Sequence, residues 1–116
     1  PYTTLFRSDG GMYFVTTEVF VDQLRERVEA AADPPIDRVV IDFESVNFVD
    51  SQGSGELDRL VQVAADRDIS LHFARLKAEV QTTLDADGVI DRLGAERVHQ
   101  SVDDAVNAAL AERRTS

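Results

Sequence analysis

At 116 residues and 43% hydrophobic content, the chain suits a single domain with a real core and leaves no room for a second. Its 22 acidic residues against 12 basic ones give a formal net charge of −10, which repels phosphate backbones and anionic lipid and argues against nucleic acid as a partner. There is no cysteine, which excludes disulfides, thiolate catalysis and cysteine-ligated metals, and no apolar run approaches the roughly 20 residues of a membrane span, so the expectation is a soluble chain with the cytoplasm as default compartment.

The chain starts at Pro1 and not at methionine, and residues 1–116 are read as one domain cut from a longer protein. Residues 1–8 also resemble a translated sequencing-adapter read-through, so no functional expectation rests on them. Thr3 to Arg7 and Met12 to Val15 are short β-prone runs separated by Ser-Asp-Gly-Gly, which predicts a hairpin. Thr16 or Thr17 is placed to cap a helix with Phe20, Leu24, Val28 and Ala31 on its apolar face, ended by Pro34 and Pro35.

The organising stretch runs from Arg38 to Leu57. Val39, Val40 and Ile41 form an unbroken β-branched run, expected as a central strand buried on both faces. A short polar loop follows Asp42 and reaches Asp50, after which Leu57, Leu60, Val61 and Ala64 show the i, i+3, i+4, i+7 spacing of a helix. Ile69 to Ala74 reads as a further strand, with Leu71 and Phe73 on one face and His72 on the other. Val80 and Leu84 mark another helix, paused at Gly88, and Val89, Ile90 and Leu93 form an apolar turn before Gly94. Val98 and His99 fit a minimal edge strand. Ser101 opens the last helix, whose expected buried stripe is Val102, Ala105, Val106, Ala109 and Leu110, with Arg113 and Arg114 at its end. Alternation of this kind predicts a mixed sheet, parallel at its centre, with helices packed on it. The seven predicted core residues, Phe20, Leu24, Val40, Ile41, Leu60, Leu71 and Phe73, are expected in one cluster.

Across Met12 to Phe20, Val39 to Phe43, Val49 to Gly53, Leu71 to Lys77, Leu84 to Gly94 and Ser101 to Val106, the chain resembles the STAS domain. The version it resembles most is the one at the cytoplasmic C-terminus of SulP anion transporters, on the strength of Tyr13, Phe14 and the segment Ala74 to Lys77. The resemblance implies an α/β fold of the anti-sigma-factor-antagonist type, with a mixed sheet of about four to five strands and about four to five helices. It implies a regulatory domain of a sulfate or bicarbonate transporter on the cytoplasmic side of the plasma membrane, without catalysis of its own. The implied partners are the transmembrane domain of the same chain, a second copy or a soluble regulator. The alternatives are a free-standing anti-sigma-factor antagonist and, from another class, a nucleotide-binding or phosphotransfer enzyme.

The expected regulatory loop is Asp50, Ser51, Gln52, Gly53 and Ser54, at the start of a helix where free backbone N–H groups favour negative charge. The antagonists carry a phosphorylated serine or threonine directly before the glycine. Here Gln52 holds that place and has no hydroxyl, leaving Ser51 and Ser54 as flanking alternatives. Ser51 is expected to cap the helix rather than accept phosphate, because Asp50 and Glu56 would oppose added negative charge. Gly53 and Gly55 lack the third glycine or following lysine of the nucleotide fingerprints, so they read as small residues that let the helix approach the sheet, with weak nucleotide binding only as a resemblance-level option. Asp42 and Asp50 could be imagined around Mg²⁺, but a strand-end carboxylate and a helix cap are the expectation. His72 and His99 lie far apart in sequence with no third ligand between them, so neither metal, cofactor nor catalytic residue is predicted.

Overall fold

The computed structural model describes residues 37–112 in full and, before them, the backbone of Leu5–Arg7 and Met12–Val15. The expected helix with Phe20, Leu24, Val28 and Ala31, and the terminal Arg113 and Arg114, lie outside the described residues.

Strands β1 (Leu5–Arg7), β2 (Met12–Val15), β3 (Arg38–Asp42), β4 (Ser70–Ala74) and β5 (Val98–His99) form one sheet in the order β1-β2-β3-β4-β5. β1 is antiparallel to β2 with Phe6 opposite Phe14, while β2, β3, β4 and β5 run parallel. Parallel neighbours need crossover segments. Between β3 and β4 the crossover carries helix α1 (Ser51–Asp66), and between β4 and β5 it carries α2 (Ala78–Ala86) and α3 (Val89–Leu93), followed by a 3₁₀ turn at Ala95–Arg97. Helix α4 (Val102–Ala111) follows β5. Gly88, between α2 and α3, has φ +81°, a left-handed conformation that glycine adopts without the Cβ penalty. Among the described residues, no helix is long and apolar enough to cross a membrane.

Strand side chains alternate between faces, and the core is therefore double. Val39, Ile41, Leu71 and Phe73 point to one side, where they meet Leu57, Leu60 and Val61 of α1, Val80 and Leu84 of α2, and Val89, Ile90 and Leu93 of α3. Val40 points to the other, with Ala74, Ala105 and Ala109. This corrects the expectation of a single cluster: Val40 is as buried as its neighbours, but β3 is covered on both faces and the sheet separates it from Ile41. The small Ala105 and Ala109 let α4 lie close to the sheet. Leu110 departs from its expected place in the buried stripe and is 54% exposed, because Ala105 and Ala109, with Val102 and Val106 partly buried beside them, already define the inward face of α4.

Candidate functional site

The carboxyl ends of parallel strands are where connecting loops gather in open α/β sheets. Here the loop after β3 is not simply polar. Phe43 and Val46 are buried, the Phe43 N–H donates to the Ala74 carbonyl at 2.9 Å, and the Phe43 ring lies 4.8 Å from that of Phe73. Asp42 anchors the same loop, accepting from the Glu44 N–H at 3.0 Å and from Arg75 Nε at 3.0 Å. Arg75 adds a second bond to the other Asp42 oxygen and reaches the Glu44 carboxylate at 3.1 Å. Its hydrogen bond to Asp42 raises the Arg75 guanidinium above its ordinary value, so Arg75 stays charged. Arg75 also has φ +61°, uncommon for a residue with a side chain, and holds it through its N–H to the His99 carbonyl at 2.9 Å and the two-pronged Asp42 contact. Lys77 donates to the Glu44 carbonyl. Asp42 is thus a structural clamp, in line with the strand-end reading.

With Phe43 and Val46 turned inward, the loop presents Asn47, Phe48, Asp50, Ser51 and Gln52 outward. Phe48 is 69% exposed.

The cap is Asp50, not Ser51. Asp50 has extended backbone (φ −87°, ψ 179°), and its Oδ1 accepts from the Gly53 N–H at 2.8 Å. Ser51 is the first helical residue. Both types cap well, so the choice falls to their surroundings. At Gly53 a Cβ would stand 3.3 Å from both Asp50 Oδ1 and Val49 Cγ1, so the capping carboxylate and the loop pack closely against this position. The same contacts correct the reading of the glycines. Gly53 is tight against the loop rather than the sheet, and a Cβ at Gly55 would meet nothing nearer than Arg59 at 4.0 Å. Asp50→Ala should therefore lower stability by about 1 kcal/mol, whereas Ser51→Ala should change it by no more than about 0.5 kcal/mol. Urea unfolding of the two variants checks this, and the reverse ranking would restore Ser51 as the cap.

Of the five predicted loop residues, Asp50, Ser51 and Gln52 are exposed and Gly53 is half-buried. Ser54 is 1% exposed, turned into the first core by the helical spacing it shares with Leu57 and Val61, so it is not an accessible hydroxyl. That removes it as an alternative phosphate acceptor.

A second cluster was not legible beforehand. His72 is buried on the α4 side of the sheet, and its Nδ1 lies 3.0 Å from Nε2 of His99. The parallel register that pairs Ala74 with His99 brings the two rings together across 27 residues of sequence. A polar residue between Leu71 and Phe73 in a predicted strand was the available signal. Among the described residues, no group of three or more His, Cys, Asp or Glu side chains is arranged to hold a metal ion.

A family model described as STAS domain matches residues 1–105. Sulfate transporter 3.2 of Arabidopsis thaliana is 26% identical over 107 residues, covering 86% of this chain and 17% of that protein, so the chain spans less than a fifth of such a relative. A sulfate transporter family protein of Wolinella succinogenes superposes with a TM-score of 0.78 at 18% identity, covering 90% of this chain and 89% of that one. The unphosphorylated anti-sigma factor antagonist SpoIIAA superposes at 0.71 with 14% identity, covering 97% and 99%. At such identities the two solved structures speak for the fold alone, whereas the family model spans nearly the whole chain: it belongs to the STAS domain family.

Proposed function

We propose that this STAS domain is the regulatory and interaction module of a SulP-type anion transporter, held on the cytoplasmic side of the membrane, and that it performs no catalysis. The observation that carries the reading is the exposed face of Asn47, Phe48, Asp50, Ser51 and Gln52 on a loop pinned from behind by Phe43, Val46 and Asp42. A rigid backing with an aromatic ring outward is suited to constitutive contact, and the sulfate transporters among the relatives supply the context. The contact partner is the transmembrane domain of the same chain, a second copy or a soluble regulator. Gln52, before Gly53, offers a donor and an acceptor but no site for phosphate, and Ser51 follows the capping carboxylate of Asp50, whose charge opposes a phosphate there. The loop therefore works by contact and not by a phosphorylation switch.

The same face counts against the antagonist reading, in which the modifiable hydroxyl lies directly before the glycine, the place that Gln52 holds here. It also offers little to a nucleotide: the groove at the strand ends has Arg75 and Lys77 tied to Asp42 and Glu44.

In the intact transporter carrying this domain, Phe48→Ala and Gln52→Glu should each weaken association with the partner by about tenfold or more, with the thermal midpoint of the isolated domain nearly unchanged. Site-directed crosslinking supplies the companion measurement, because the domain contains no cysteine and one introduced at Phe48 is unique within it. Recovery of the native protein with phosphate on Ser51, varying with transport activity, would sink the contact model.

A further inference from the structure

The buried histidine of β4 belongs to a closed network. His72 Nε2 lies 2.8 Å from Glu112 Oε1 and 3.0 Å from Ser70 Oγ, and Ser70 Oγ lies 2.5 Å from that same Glu112 oxygen. Arg97 binds the other oxygen of Glu112. Burial works to raise the Glu112 carboxyl, but hydrogen bonds from Arg97, Ser70 and His72 outweigh it and hold the group at about 2. Glu112 is thus ionised and can only accept.

The proton positions follow in sequence. His72 Nε2 must donate to Glu112. Burial lowers His72 below the ordinary histidine value, with Glu112 only partly offsetting it, so the ring is neutral near pH 7 and its Nδ1 is an acceptor. His99 Nε2 must then be the donor at 3.0 Å. His99 itself is half-buried and lines an open groove with Glu44, Arg75, Lys77 and Gln81.

One added proton leaves this arrangement intact, since either ring can carry it and donate to the other. A second cannot be accommodated, because two N–H groups would then face each other across 3.0 Å. Among the described residues, the charged groups around the pair are Glu112 at the end of α4 and Arg97 from the 3₁₀ turn on the His72 side, and Glu44, Arg75 and Lys77 on the groove side of His99. Of the two anions, Glu112 already serves Arg97 and Glu44 already pairs with Arg75. The element placed to yield is β5, two residues long, paired through Val98 and His99 and through the Arg75 N–H bond to the His99 carbonyl.

We propose that the His72–His99 pair is an acid-sensitive latch: it holds β5 against β4 at neutral pH and releases β5, widening the groove beside Arg75 and Gln81, once both rings are charged. The inference stands apart from the transporter reading, since it rests on the network alone.

Amide hydrogen exchange with NMR detection on the 116-residue chain tests it. Between about pH 7.5 and about pH 5, with intrinsic exchange rates corrected, protection of the Arg75 amide should fall by about tenfold or more while that of Ile41 changes much less. His99→Gln keeps an amide donor within reach of His72 but cannot take a charge, and should hold its protection across the range. Unchanged Arg75 protection in the native chain, or an equal fall in His99→Gln, would overturn the latch. Should that variant fail to fold, ring nitrogen shifts of the native chain decide: linked two-step titration of the rings supports it, and two independent single titrations refute it.

Discussion

Replacing Phe73 with alanine is expected to cost about 3–5 kcal/mol, the usual toll for a buried phenylalanine. Phe73 is fully buried near the carboxyl end of β4, on the face that meets the α1, α2 and α3 side chains, and its ring packs at 56° to that of Phe43. The surroundings are parts of three helices and a pinned loop, which cannot all collapse into the space left behind. A domain of this size is stable by about 5–15 kcal/mol, so the variant should lose at least about a fifth of that and unfold at a markedly lower temperature. The functional consequence follows through Phe43, which anchors the loop carrying Phe48. Phe73→Leu, nearer in volume, should cost no more than about 1.5 kcal/mol. Calorimetry on the pair is the measurement, and a loss below about 1 kcal/mol for Phe73→Ala would mean that the loop and helices are not packed as described.

The second large effect is expected at Glu112. Glu112→Ala removes the shared acceptor of Arg97, Ser70 and His72 and leaves the buried Ser70 hydroxyl and His72 Nε2–H without it, which should cost about 2–3 kcal/mol. The pH dependence has a definite sign. Glu112 is held at about 2 in the folded chain against an ordinary 4.5, so the unfolded chain binds its proton more readily; the stabilisation is complete above about pH 4.5 and fades as pH falls toward 2. His72 is lowered from 6.5, and the same reasoning makes its contribution complete above about pH 6.5 and progressively lost below it. Urea midpoints should therefore drop in two stages on acidification. Glu112→Gln, which cannot ionise, should abolish the lower stage and keep the upper one. A variant whose midpoint still falls as steeply between pH 4.5 and pH 2 would place the acid sensitivity elsewhere.

Local signals were enough for much of the architecture. The β-branched run at Val39, Val40 and Ile41, the helical spacing of Leu57, Leu60, Val61 and Ala64, the left-handed Gly88 and the Ser101 cap that accepts from the Asp104 N–H at 3.0 Å each depend on residues a few positions apart, where propensity and periodicity act directly. The family resemblance drew on the same ordered set of elements, which the match over residues 1–105 supports. Choices between near-equal local options were less legible. Asp50 and Ser51 are both good caps, and the point at which the extended chain turns into helix decided between them.

What only the tertiary structure decided are relations between distant residues, fixed by parallel register and by which face of the sheet each helix covers. Strand alternation sends Val40 to a core separate from that of Ile41, and the docking of α4 through Ala105 and Ala109 leaves Leu110 in water. Arg75 meets Asp42 across 33 positions because β3 and β4 end side by side, and His72 meets His99 because β5 adds to the same edge in parallel. Among the described residues, the amino-acid sequence by itself marked the main strands and helices and showed that Gln52 leaves no hydroxyl before Gly53, since these are properties of neighbours along the chain. The clamp, the histidine pair and the outward Phe48 arise from the closing of the sheet, where hydrogen-bond register across strands, and not spacing along one, sets the distances.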